Sequence, residues 1–381
     1  MFSTTYLSDQ VTLTAGGGRA RHHNELVERY QNIIQREQRL HWTSHHRLLK
    51  LLGAGGQGVV YLTERRGADG FTLPVAIKIF SPEYFEDVAS YELAMSRIAA
   101  VASQVAQIQH DNLLDVHNFV VRDRIRMMVM EWIDGYDLRR LLMPELLARI
   151  QSRVSARRWE YINRVVVTAG PLQSRLKAGV AVAVIRDCLG AIAALHRNGI
   201  VHGDIKPGNV MLKCTGHAKI IDIGSAFALS DPPSIRTCTP AYAAPEVLEG
   251  TECTPRSDLA SLGYLLIELL AGRSPFAGID RFRDLLELKR TLPQRLHEFL
   301  PPEVTVNSLL MTFIRGLIAP DPMKRFPSAE AADLVEEGAA AFHRQLVKGD
   351  LASEYDNEIR LWLQEVKLLE GEWGLPGDLP Q

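Results

Sequence analysis

Four polar residues interrupt otherwise apolar stretches, and their types could align a phosphoryl transfer around a metal ion. In VHGDIKPGNVML (residues 201–212), Asp204 is followed by Lys206 and then by the amide Asn209. About twenty residues on, KIIDIGSAF places Asp222 at the end of an apolar run. Asp204 has the chemistry to orient an attacking hydroxyl and accept its proton. Lys206 can neutralise a transferring phosphoryl group. Asn209 offers a carbonyl oxygen to magnesium, a hard cation that prefers oxygen ligands, and Asp222 can bridge such a metal to phosphates. Phosphoryl transfer asks little covalent chemistry of a protein and much alignment and charge neutralisation.

Upstream, GAGGQGVV (53–60) follows the apolar LLKLL. The same glycine spacing serves dinucleotide folds, where a helix comes next; here Val60 and a further strand pattern follow. Gly53, Gly55 and Gly58 suit a hairpin whose backbone amides approach a triphosphate, although an ordinary hairpin carries the same pattern. Lys78 lies in PVAIKIF among apolar neighbours, so its ammonium needs charged partners. Nucleotide phosphates and a helix carboxylate would supply them; a solvated strand lysine is the plainer alternative.

These groups need elements to hold them. Residues 46–80 read as strands around the glycine turn, 83–109 as a long helix, and LLDVHNFVV and RMMVMEWI as two more strands. After DGYDL the pattern is mainly helical to about residue 370. A strand-rich part and a helix-rich part, joined near 131–137, imply two lobes with a cleft. At the N-terminus, 1–22 reads as a flexible start and 24–40 as a short amphipathic helix.

The chain of 381 residues is 46% apolar and 23% charged, with a net charge of −2. That balance gives no global pull toward nucleic acid or membrane. The longest apolar run, AGVAVAVI (178–185), is shorter than the ~20 residues of a membrane span. The start lacks the basic-then-apolar order of a signal peptide. Four scattered cysteines without metal-ligand spacing read as reduced thiols, and the expected compartment is cytoplasmic.

Taken in order, the chain carries GxGxxGxV (53–60), VAIK (75–78), the loop 202–209, DIG (222–224), APE (244–246), SDLASLG and DPMKRFPSA. This series resembles the eukaryotic-type (Hanks-type) serine/threonine protein kinase family over roughly residues 46–340. The resemblance implies an α+β bilobal fold, with a small β-rich lobe (46–133) carrying one long helix and a larger helical lobe (134–345). It implies ATP and Mg²⁺ in the cleft and protein hydroxyls as acceptors. It makes Met130 the gatekeeper, gives Glu131 and Ile133 backbone contacts to adenine, and sets Asp137 at the ribose. Val60, Ala76 and Met211 would sandwich the base. Glu92 would be the helix partner of Lys78, with Glu86 as an alternative. Thr239 would hydrogen-bond Asp204 and Lys206, Asp258 would hold the catalytic loop, and Arg325 would pair with Glu246.

Gly203 departs from the family, where an arginine usually stands between the histidine and the aspartate. HGD…N followed by ID also resembles aminoglycoside and choline kinases, so a small-molecule kinase is one alternative and a nucleotide-binding scaffold another. Lys206 and the segment TCTPAYAAPE favour a protein substrate. Without the arginine, a phosphate on Ser230, Ser234 or Thr237 lacks its usual clamp, so activity should depend weakly on loop phosphorylation.

Two further segments stand out. Within 139–177, nine basic residues face only Glu145 and Glu160, a net of +7, centred on an insertion at about 143–169. It reads as a solvated helical insertion or as a docking surface for an acidic partner; neither nucleic acid nor membrane is an expected partner. The acidic tail (346–381) should form a helix over 357–369 that packs on the large lobe through Ile359, Leu363, Val366 and Leu369 and contacts the basic insertion.

Overall fold

The computed structural model describes residues 5–7, 17–35, 39–41, 45–233, 236–348 and 355–371. The small lobe is built on β1 (His45–Gly55), β2 (Gly58–Arg66), β3 (Thr72–Phe80), β4 (Val116–Arg122) and β5 (Ile125–Glu131). These antiparallel strands lie in the order β1-β2-β3-β5-β4, with the short strand Arg39–His41 outside β1. Val75 to Phe80 are all buried, which is why β3 takes an interior position in the sheet. Register places Val60 beside Lys78 and Ala76 beside Met130. Ala76 and Lys78, two apart on one strand, therefore share a face.

Two helices cover this sheet. In α1 (Gly17–Gln35), Leu26, Tyr30 and Ile33 recur at helical spacing and are buried. α2 (Val88–Val105) starts from a capping box between Asp87 and Ser90 and buries Tyr91 and Met95. α1 packs against α2 and β5, and the Tyr61 hydroxyl donates to the Ile34 carbonyl at 3.2 Å. The N-terminal helix thus shares the small lobe's core. It begins at Gly17 and ends at Gln35, whereas the sequence placed it over 24–40. Of the start expected to be flexible, Thr5–Leu7 form a strand antiparallel to Arg236–Cys238 and residues from Gly17 on are helical; the rest lies outside the described residues.

The large lobe contains α3 (Pro144–Gln151), α4 (Ala156–Val165), α5 (Ala178–Arg197), α6 (Pro255–Ala271), α7 (Phe282–Arg295) and α8 (Tyr355–Gly371). α5 is long and apolar enough by composition to cross a bilayer, yet 78% of its apolar window is buried inside the fold, as a core helix requires. α6 is buried from Ser257 through Ala271. A small sheet orders Ala218–Ile220, Val210–Lys213 and Gly135–Asp137 side by side. It places Asn209 just before its middle strand and Asp222 just after an edge strand, so both motifs leave it together.

The basic insertion is not helical throughout: α3 and α4 are followed by an antiparallel pair, Val167–Ala169 with Ser174–Leu176. The tail helix α8 rests on α5 and α3 and buries Ile359, Trp362, Leu363 and Val366. Gly179 in α5 permits this, since a β-carbon there would stand 2.1 Å from the Tyr355 ring. Arg158 of α4 meets Glu365 at 2.6 Å and Glu358 at 3.8 Å, and Lys367 meets Asp134 at 2.6 Å.

Candidate active site

Asp204 is buried and wrapped in donors. Its Oδ1 accepts from the Thr239 amide at 3.0 Å and the Thr239 hydroxyl at 2.7 Å. Its Oδ2 accepts from Lys206 Nζ at 2.6 Å, and the Asn209 Nδ2 donates to the Asp204 carbonyl at 2.8 Å. Lys206 also donates to the Thr239 hydroxyl at 2.9 Å. The four residues form one network, and charge-assisted bonds of this kind are the stronger ones.

Beneath this loop, the Asp258 carboxylate on α6 accepts from the backbone amides of His202 and Gly203 and from His196 Nε2, each at 2.9 Å. Burial alone would raise the Asp258 pKa, but His196, His202 and the Gly203 amide bring it below the usual carboxylate value. Gly203 has φ +77°, a left-handed conformation that L side chains rarely adopt, so glycine suits the backbone here. The platform after the loop is anchored by Glu246, which takes both prongs of Arg325 at 2.6 and 2.7 Å. Ser257 adds a bond to the same carboxylate at 2.8 Å.

Across the cleft, Lys78 is buried and donates to both Asp222 oxygens at 2.7 and 2.9 Å and to Gln57 Oε1 at 2.7 Å. Burial would raise the Asp222 pKa, but the Lys78 charge and bond, with the Gly224 amide, bring it below the usual range. Glu92 does not serve as the partner of Lys78. It lies on the outer side of α2, paired with Arg124 at 2.9 Å and 3.8 Å from Arg126. Tyr91 and Met95, one turn apart, take the inward face of α2, so the neighbouring position 92 points away. Glu86 lies before the helix cap Asp87.

The remaining predicted residues lie on the glycine turn, at the end of β5 and in the small sheet. Gly53 pairs with Val60 and Gly55 with Gly58 in the turn between β1 and β2. Gly58 has φ +132°, and a β-carbon there would strike the Ile79 carbonyl at 2.0 Å. Met130 is buried, and Ile133 packs against the core. The Glu131 amide donates to the Asp115 carbonyl at 3.0 Å, and its carboxylate takes the Asp115 amide and Lys219. Asp137 caps a short helix through the Arg140 amide at 3.0 Å and lies opposite Met211 in the small sheet.

Sequence reasoning missed three contributors. Gln57 bridges Lys78 and the Ser225 hydroxyl (3.0 Å), and no periodicity marks it. The Tyr242 hydroxyl donates to Glu268 at 2.5 Å, with Gln173 on the same carboxylate at 3.0 Å. Lys289 is fully buried beneath the platform. It had a signal, because it falls on the apolar face Leu285, Leu292, Leu296 at helical spacing.

The protein kinase domain family model matches residues 46–335. The chain is 32% identical over 302 residues to serine/threonine-protein kinase PkaA of Streptomyces coelicolor, covering 75% of this chain and 48% of that protein. It is 30% identical over 292 residues to serine/threonine-protein kinase PrkC of Bacillus subtilis, covering 76% and 39%. The chain thus spans less than half the length of these relatives. Among solved structures, the kinase domain of Mycobacterium tuberculosis PknI aligns with a TM-score of 0.52 at 23% identity, over 79% of this chain and 95% of that one, a likeness of fold. With the matched span containing both lobes and the whole Asp204 network, the chain belongs to the Hanks-type serine/threonine protein kinase family.

Proposed function

We propose that this chain transfers the γ-phosphate of ATP to serine and threonine hydroxyls of proteins, using magnesium. The observation that carries the reading is Thr239, whose hydroxyl joins Asp204 and Lys206 and thereby ties the peptide platform to the reacting acid. A kinase of small alcohols has no use for that tie.

The residues fit the cofactors. The nitrogen end of the Asn209 amide is taken by Asp204, so its carbonyl oxygen is the end left for a cation, beside the ionised Asp222. A β-carbon at Gly53 or Gly55 would meet nothing within 4 Å, which leaves room along the turn for phosphates. Bound magnesium would supply charge neutralisation at the phosphates. Asp204 orients the acceptor hydroxyl and takes its proton, while Lys206 balances charge on the transferring group. Lys78, which holds Asp222 and Gln57, would pair with the phosphates. Val60, Ala76 and Met211 would sandwich the base with Met130 as gatekeeper, Glu131 and Ile133 would offer it backbone groups, and Asp137 would meet the ribose.

On this reading, the acidic occupant of the basic insertion is the chain's own α8, since Arg158 already holds Glu358 and Glu365. The proposed compartment is the cytoplasm, on the scattered spacing of the four cysteines.

Incubation with labelled ATP, magnesium and a generic basic protein tests the reading. The wild type should label serine or threonine, and Asp204→Asn should lower the rate by about 10²-fold or more. Undiminished labelling by the variant, or transfer to small alcohols alone, would overturn it.

A further inference from the structure

Lys289 on α7 has 0% of its surface exposed. Its Nζ donates to the Ala241 carbonyl at 2.7 Å. It also sits 3.9 Å from the centroid of Tyr264 and 3.8 Å from that of Phe276. Those two rings meet edge to face, 5.1 Å apart, and form two walls of a cage. Glu246, an acid that acts on Lys289 electrostatically, is committed to its two-pronged pair with Arg325.

Burial holds the Lys289 pKa well below the ordinary lysine value. A buried amine of this sort adds little stability that an apolar side chain of similar volume would not. Its distinctive contribution is a hydrogen-bond donor, which either protonation state of the amine supplies.

The carbonyl it holds belongs to the turn that carries Thr239. The Tyr242 and Ala243 amides both donate to the Thr239 carbonyl, at 2.9 and 3.0 Å. Ser261 on α6 donates to the Tyr242 carbonyl at 2.9 Å, and Glu268 on the same helix holds the Tyr242 hydroxyl. Ala241 is the residue of this turn fixed from α7 rather than α6. We propose that Lys289 is a positioning residue for the protein substrate: by gripping the Ala241 carbonyl from beneath, it keeps the 239–242 turn in the register that presents an acceptor hydroxyl to Asp204. The inference rests on the protein-kinase reading and extends it to a residue that touches neither ATP nor the reacting atoms.

The test is Lys289→Met, which keeps the volume and removes the donor. kcat/KM for a protein or peptide acceptor should fall about three- to tenfold, the range spanned by one lost hydrogen bond. KM for ATP should stay within about twofold, and the melting temperature should fall no more than about 4 °C. A purely structural role predicts the opposite pattern, with a large drop in melting temperature and proportional losses for both substrates. That result, or unchanged acceptor kinetics, would overturn the inference. Should Lys289→Met fail to fold, Lys289→Gln is measured against the same expectations. A wild type that labels no protein at all would overturn the protein-kinase reading, and the inference with it.

Discussion

On the large-lobe side of the cleft, two acids take several bonds from their own lobe: Asp204 from Thr239, Lys206 and Asn209, and Asp258 from His196, His202 and Gly203. On the small-lobe side, Lys78 divides its bonds between the two lobes. It is held by Asp222 from the opposite lobe and by Gln57 from the tip of the glycine turn. Asp204 is therefore set by the internal structure of one lobe, whereas Lys78 depends in part on how the lobes meet. A group fixed within its lobe is pre-organised before substrate arrives, which is where electrostatic catalysis draws its strength.

This asymmetry can be broken from either side. The largest effect should come from Arg325→Met, which leaves Glu246 buried without its partner; loss of about 3–5 kcal/mol is expected, read as a fall in denaturant midpoint. Next, Lys78→Met should lower kcat by about 10²-fold, or roughly 2.7 kcal/mol of barrier. Glu92→Gln, assayed beside it, should change kcat by less than about twofold, because Glu92 is engaged at the surface with Arg124. Equal losses in the two variants would show that α2 turns its acid inward during turnover, and the comparison would need redrawing. The smallest effect should follow from alanine at Ser230, Ser234 and Thr237 together, less than about threefold on kcat, measured with protein acceptor. Ser234 lies outside the described residues; the expectation rests on Gly203, which has no side chain to clamp a phosphate.

Much of the site was legible because its geometry is local. Asp204, Lys206 and Asn209 lie within six residues of one another, so their spacing alone brings them together, and Thr239 joined them through the peptide platform. The strand around Lys78 was legible for the same reason: β-branched residues at every second position, Val75, Ile77 and Ile79, mark a strand. Glu92 was not, because the composition of a helix shows that it has an acid and not which way the acid faces once Tyr91 and Met95 have taken the core. The reach of α1 back to Gly17 was hidden by a run of glycines that ordinarily discourages helix. Gln57 was missed because its role arises from contacts made across 21 and 168 residues of chain; for Lys289 the apolar face of α7 marked the burial, while the carbonyl it holds lies 48 residues away.

The left-handed turn of the catalytic loop at residue 203 carries a last consequence. An arginine in that conformation would hold its backbone there at a cost of roughly 1–2 kcal/mol, to be recovered when a phosphate docks on its guanidinium. Glycine occupies the same geometry at rest. Glycine needs no docked phosphate to offset strain at this position, which is the physical ground for expecting little loss in the triple alanine variant.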